Sequence, residues 1–392
     1  MLLTSMKFAS FFTLVGAAIS TSAAFVHPGL LHTAADLTRV ADHVNAGDEP
    51  WLTGWNKLIN STYAQSSYTP HPVQLLCRGS PASCSENYAN IYRDAAAAYA
   101  LAIRWKVTGD AAFGTAAANI LNGWSSTLTE ISGNSDKYLA SGLYGYQLGN
   151  AAEILRNFSG FTDANMQAMI ELLVNVFYPM NHRFFVDHND AAVDHYWANW
   201  DLCNLATMMS TGVLSDNQTM FNEALDYFYN GAGNGAINKT IWILYDDGTG
   251  QVQESGRDQG HTMLDIALLG VIAQTAYNQG TNLFAYEDYR ILRGAEYAAK
   301  YNLGNDVQFT TYTNSDVTQT VISNNSRGNI RPIWDLIYNH YVKIEKQTAT
   351  YSQQYADLVR NDGGGADGGG GYYGTTSGGF DQLGYTTLMF TL

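Results

Sequence analysis

Cationic side chains are scarce in this chain. Of 392 residues only 20 are Lys or Arg, against 35 Asp or Glu, for a formal charge of -15. A surface this acidic excludes broad binding to nucleic acid or to an anionic membrane. Cysteine is nearly absent as well, with three residues and no C-x-x-C pair, which speaks against a thiolate metal site. There is no G-x-S-x-G, no Walker loop and no H-E-x-x-H, so esterase, P-loop and zincin readings lack support. Beyond the N-terminus no apolar run is long and uncharged enough to span a bilayer.

What is present is apolar and aromatic. Hydrophobic residues make up 46%, with 26 Tyr and 8 Trp, enough for a sizeable core and too much for a disordered chain. The N-terminus carries Lys7, an apolar run from Phe8 to Ile19, and small residues at Ser20, Ser22, Ala23 and Ala24. This pattern predicts a signal peptide over 1–24 and a secreted, extracellular mature protein over 25–392. In that compartment Cys77 and Cys84, which bracket RGSPAS, are expected to close a small loop by a disulfide. Cys203, inside an apolar helical stretch, is expected to be a buried free thiol. Glycosylation acceptors stand at Asn60, Asn157, Asn217, Asn238 and Asn324.

Most of the mature chain reads as paired helices. Ile91 to Val107 ends at Thr108-Gly109-Asp110, a stop followed by an N-cap, and a second helix runs from Ala111 to Leu128. Further pairs fall at 141–157 with 163–177, 196–212 with 217–230, 259–278 with 284–301, and 329–345 with 348–360. His261 to Ala276 is apolar nearly all round and should be buried. The helix 217–230 carries Phe221, Leu225 and Phe228 on one stripe and should lie outside. Inner helices alternating with outer ones predict an all-α fold, a solenoid or an α/α toroid, in one domain. Lys239 to Glu254 reads as a β-hairpin. The glycine-rich stretch from Asp362 to Gly379 reads first as a flexible surface loop, or else as a loop whose small residues admit a ligand.

Four polar clusters stand out. In Glu254-Ser255-Gly256-Arg257-Asp258-Gln259-Gly260-His261, Arg257 and His261 sit four apart at a helix start, where an anion is favoured. The structural alternative is a cap in which Glu254 pairs with Arg257 and Asp258 caps the helix. The stretch 182–204 holds His182, His188 and His195 among four Asp, but spacings of six and seven match no zinc pattern, so no metal is expected. It also contains Trp197, Asn199 and Trp200, an amide between two rings. The other clusters are Lys300 to Asp306 with Tyr301, followed by Phe309 to Tyr312, and Ser326 to Pro332 with Arg327 and Arg331.

The stretch ESGRDQGHTMLDIALLGVIAQTAYNQGTNLFAYEDYRILRGAEY, with YWANWDLCN before it, resembles the alginate lyase family of polysaccharide lyases, as a divergent branch. The resemblance implies an α/α toroid, an incomplete barrel of antiparallel helix hairpins. It also implies β-elimination on a 1,4-linked polyuronate, either alginate, polymannuronate or glucuronan. It assigns Asn199, Arg257 and His261 to neutralise the uronate carboxylate as charge builds on it. Proton transfer falls to a tyrosine, Tyr312 first and Tyr301 second. Trp197, Trp200, Glu254, Arg327 and Arg331 are the substrate-binding candidates, and no cofactor is expected. Two departures matter: the family's Asn-His pair is here Asn199-Trp200, and the position seven after the Arg, a Tyr in the family, is Leu264.

Two rival readings remain open on the same fold. One is a glycoside hydrolase using two carboxylates among Asp190, Asp201, Glu254 and Asp258. The other is a secreted protein that binds carbohydrate without turning it over. The charge also divides unevenly. The mature chain has 19 cations against 35 anions, or -16, whereas residues 254–346 hold 8 against 10, or -2. An acidic exterior around a small neutral-to-basic groove is therefore expected of a lyase, and a carboxylate-lined groove of a hydrolase.

Overall fold

Helix starts follow the capping residues. Thr33 and Thr162 form capping boxes with Asp36 and Asn165, while Asp110, Asn217 and Asp258 accept from backbone N–H groups of the turns that follow. The computed structural model describes residues 24–392. The expected signal peptide, all but its last residue, lies outside the described residues.

The helices in chain order are α1 (Ala34–Ala46), α2 (Trp51–Ile59), α3 (Ala89–Thr108), α4 (Ala111–Thr127), α5 (Lys137–Leu155), α6 (Asp163–Leu172), α7 (Tyr178–Asp187) and α8 (Ala198–Leu214). They continue with α9 (Gln218–Asn230), α10 (Ile237–Thr240), α11 (Gln259–Asn278), α12 (Tyr286–Asn302), α13 (Trp334–Tyr338), α14 (Thr350–Asp362) and α15 (Thr386–Phe390). Among the described residues three two-stranded ladders interrupt them. β1 (Leu75–Arg78) pairs in parallel with β2 (Glu130–Gly133). β3 (Ile241–Leu244) pairs antiparallel with β4 (Gly250–Val252), and β5 (Tyr312–Thr313) with β6 (Thr318–Gln319).

The inner wall runs α1, α3, α5, α8, α11, and returns to α1 through the short α13 and α15. α5, α8 and α11 are buried almost throughout, as an inner helix must be. α9 shows the outer kind of helix: Met220, Phe221, Ala224 and Phe228 are buried while Asp226 faces solvent. On the inner wall α5 and α8 pack closely. A Cβ at Gly142 would come within 2.3 Å of Cys203 Sγ and 2.7 Å of the Asn204 backbone nitrogen. Cys203 is buried and free there, and Cys77 is joined to Cys84.

Two expectations need correction. The glycine-rich stretch is not a loose surface loop. Gly363 and Gly368 to Gly370 are buried, and a Cβ on Gly369 or Gly370 would meet Tyr385 at 2.1 Å or Ala96 at 2.6 Å. Here glycine lets the backbone pass through a packed layer. The helix expected over 329–345 starts only at Trp334. Pro332 precedes Ile333, whose φ of 116° is incompatible with a right-handed helix.

Candidate functional site

A cavity of about 480 Å³ opens where α5, α8 and α11 meet the segments 325–331 and 377–381. Its wall includes Arg78, Asn199, Asp258, His261, Arg331 and Asp381. Asp258 precedes α11 and holds His261 twice, accepting its backbone N–H at 2.9 Å and its Nδ1 at 2.6 Å. Burial pushes the Asp258 carboxyl up, but hydrogen bonds from His261 and the charges of His261 and Arg257 outweigh it and hold the group below its usual range. An ionised carboxylate only accepts, so His261 Nδ1 carries hydrogen, and in the neutral ring the lone pair lies on Nε2. The side chain is 38% exposed, so that lone pair is reachable.

Asn199 is set by a different carboxylate. Glu254 Oε1 accepts from the Asn199 backbone N–H at 2.8 Å and from its Nδ2 at 2.5 Å, while Oε2 takes Arg257 Nη1 at 2.7 Å. This leaves Asn199 a second amide hydrogen. Glu254 is wholly buried, and so is Asp265 one helical turn past His261. No N–H or hydroxyl donor among the described residues reaches either Asp265 oxygen. Burial, then the Glu254 charge and a hydrogen bond with Glu254, push the Asp265 carboxyl well above its ordinary range. A proton on Asp265 donated to Glu254 is the arrangement that satisfies both groups.

The structural alternative at the start of α11 is thus present in full, with Glu254 paired to Arg257 and Asp258 capping the helix. Arg257 lies over the Trp197 ring at 5.1 Å and is not on the cavity wall. Glu254 is beneath the site and exposes no surface for substrate. Trp200 packs on Tyr196 and Phe184. The Tyr312 hydroxyl accepts from Gln253 Nε2 at 2.7 Å, and burial pushes that hydroxyl's pKa up. Tyr301 lies under the Arg327 guanidinium at 3.8 Å, and Arg327 is committed to the Tyr301 and Asn305 carbonyls. Neither tyrosine lines the cavity.

His182, His188 and His195 are separated, each to its own partner: Glu223, Tyr227 and Asp316. Among the described residues no group of three or more His, Cys, Asp or Glu is placed to hold a metal ion. A roomier hollow of about 530 Å³ lies between α2 and the glycine-rich segment. Its lysine, Lys57, is bonded to the Gly363 carbonyl and to Tyr372, and no carboxylate or histidine lines it. The glycosylation acceptors Asn60, Asn157, Asn238 and Asn324 are exposed, whereas Asn217 is half-buried and caps α9.

The family model for alginate lyase matches residues 61–309, more than half of the chain. The chain belongs to the alginate lyase family. It is therefore a polysaccharide lyase, and its helical circuit is the α/α toroid of that family. No curated protein matches the chain. Among solved structures, an alginate lyase from Bacteroides ovatus superposes with a TM-score of 0.61 at 12% identity, over 94% of this chain and all of that one. Alginate lyase A1-III, from Sphingomonas species A1, is similar in its apo form with a TM-score of 0.55 at 14% identity, over 79% of this chain and 86% of that one. Its complex with a tetrasaccharide gives 0.51 at 16% identity, over 67% and 74%. These identities carry the fold alone. No helix among the described residues is long and apolar enough to cross a membrane.

Arg78, Asp265 and Asp381 escaped the sequence reading. Arg78 lies one residue past a cysteine and Asp381 at the end of a glycine-rich stretch, positions that carry no motif. Asp265 did carry a signal, as the one charge in an otherwise apolar inner helix.

Proposed function

We propose that this lyase acts on an alginate-type polyuronate, secreted as its N-terminal sequence suggests, and that His261 moves the proton. The observation that supports this is the Asp258–His261 pair sharing the wall of one cavity with Asn199. The C5 proton of a uronate becomes acidic once its carboxylate is neutralised. The second amide hydrogen of Asn199 suits that role, with Arg257 holding Glu254 in place behind it. His261 Nε2 takes the C5 proton, the electron pair moves to form the C4–C5 double bond, and the C4–O4 bond breaks. The O4 leaving group then takes a proton. In mannuronate and glucuronate C5–H and O4 lie on one face of the ring, so the protonated His261 can return that proton to O4. Guluronate would need a second group on the other face.

The hydroxyl of Tyr312 is committed to Gln253 and Tyr301 is covered by Arg327, so this reading moves proton transfer from those tyrosines to His261. The test is polymannuronate turnover followed by the ultraviolet absorbance of the unsaturated product. His261→Ala is expected to abolish it and Tyr312→Phe to leave it within a few-fold. The reverse pattern in folded variants would return the role to Tyr312. New reducing ends without absorbance would mark a hydrolase.

A further inference from the structure

The cavity wall holds two charges that the protein leaves incomplete. Arg78 is 9% exposed and follows Cys77 at the end of β1. Its guanidinium lies between the rings of Tyr88, at 5.0 Å, and Tyr144, at 5.7 Å. Its one hydrogen bond among the described residues goes from Nη1 to the Tyr144 hydroxyl at 2.9 Å, and no carboxylate is within ion-pair distance. Asp381 is likewise 9% exposed, on the segment that closes the other side of the cavity. Its Oδ1 is buried without a partner, and no hydrogen bond to its carboxylate exists among the described residues. Burying a cation without an anion, or a carboxylate without donors, is costly unless a ligand completes them.

We infer that Arg78 and Asp381 form a uronate subsite beside His261, with Arg78 binding the carboxylate and Asp381 accepting ring hydroxyls. This rests on the polyuronate reading above and adds which groups read the sugar. A planar guanidinium with free N–H groups matches a carboxylate. A carboxylate with a free oxygen matches a hydroxyl donor. A uronate ring carries both complements. A neutral hexose leaves Arg78 unpaired. The ring stack and the Cys77–Cys84 loop hold Arg78 at the cavity before any ligand arrives, so little ordering is left for binding.

The experiment is calorimetric binding of two probes, a β-1,4-mannuronate tetrasaccharide and β-1,4-mannotetraose, which differ only in carboxylate against hydroxymethyl. His261→Ala serves as the background to suppress turnover. Adding Arg78→Gln is expected to weaken the acidic probe about ten- to a hundredfold while leaving the neutral one unchanged. Arg78→Lys, which keeps the charge, should fall between. Asp381→Asn should weaken both probes. Equal loss of both probes on Arg78→Gln would mean a structural role, and no loss of either would remove Arg78 from the site; each overturns the inference. The outcome is separable from the chemistry: charge-selective binding without ultraviolet product from the unmutated enzyme keeps the subsite and rejects elimination. Product formation with unselective binding does the reverse.

Discussion

Replacing Asp265 by Asn tests whether the buried Glu254–Asp265 pair shares a proton. Glu254 is the charged partner, because it receives Asn199 N–H, Asn199 Nδ2 and Arg257 Nη1, each of which favours an ionised carboxylate. Asp265 receives no donor and must supply one. In the unfolded chain it titrates near an ordinary value of ~3.9, and in the fold well above that. A raised folded pKa means that folding takes up a proton. The stabilising contribution is complete below the unfolded pKa and is lost as pH rises toward the folded one. The slope is about 1.4 kcal/mol per pH unit for one proton, so from about pH 4.5 to 6 the protein should lose ~2 kcal/mol through this group. Asn donates to Glu254 without taking up a proton, so the variant should lack that ~2 kcal/mol decline. Its second N–H and its carbonyl need partners of their own, so the slope, not absolute stability, is diagnostic. Urea unfolding at both pH values on both proteins measures it. Identical pH dependence in the two would show that Asp265 is not the proton carrier.

Asp258→Asn keeps a capping residue at the start of α11 but permits the wrong His261 tautomer. The turnover number on polymannuronate should fall about a hundredfold or more, with little change in melting temperature. Replacing Cys77 and Cys84 together by Ser frees a short loop, and loop-closure entropy puts the loss near 2.5 kcal/mol by denaturant titration. The same variant should raise KM, since Arg78 adjoins Cys77. Gly142→Ala drives a methyl into Cys203 and the α8 backbone and should cost about 1–3 kcal/mol, read by thermal unfolding.

Elements with local causes were legible. The helix expected from Ile91 to Val107 is observed as Ala89–Thr108, ended by Gly109 at φ 69° and followed by Asp110 capping the next helix. Each signal lies within a few residues of its effect. The apolar character of 261–276 likewise placed α11 inside. The site was legible only around α11 and the start of α8, where Asn199, Asp258 and His261 stand on rigid elements close to distinctive sequence. Arg78 and Asp381 meet because the circuit closes, and a juxtaposition across 303 positions leaves no spacing to read. Tyr312 was chosen for following the Arg–His helix hairpin. Proximity in sequence does not say which way a two-residue strand turns its side chain, and Gln253 takes that hydroxyl. The glycines at 368–370 read as flexibility because composition does not reveal what fills the space a Cβ would occupy.

The acidity that opened the sequence reading does not oppose a polyanionic substrate, because the two act over different distances. At physiological ionic strength exposed charges are largely screened beyond about 8 Å, so most of the -15 is not felt inside the cavity. What a bound uronate meets is local. Asp258 is engaged by the two N–H groups of His261, and the wall carries Arg78 and Arg331 against Asp258 and Asp381, so its fixed charges cancel. Arg331 gives one N–H to the Gly378 carbonyl and Arg78 one to the Tyr144 hydroxyl, so both keep N–H groups for a carboxylate, and Arg78 is the more deeply buried of the two. A solvated acidic shell keeps other polyanions from collecting on the surface, while a single buried arginine selects those that can present a carboxylate at the cavity.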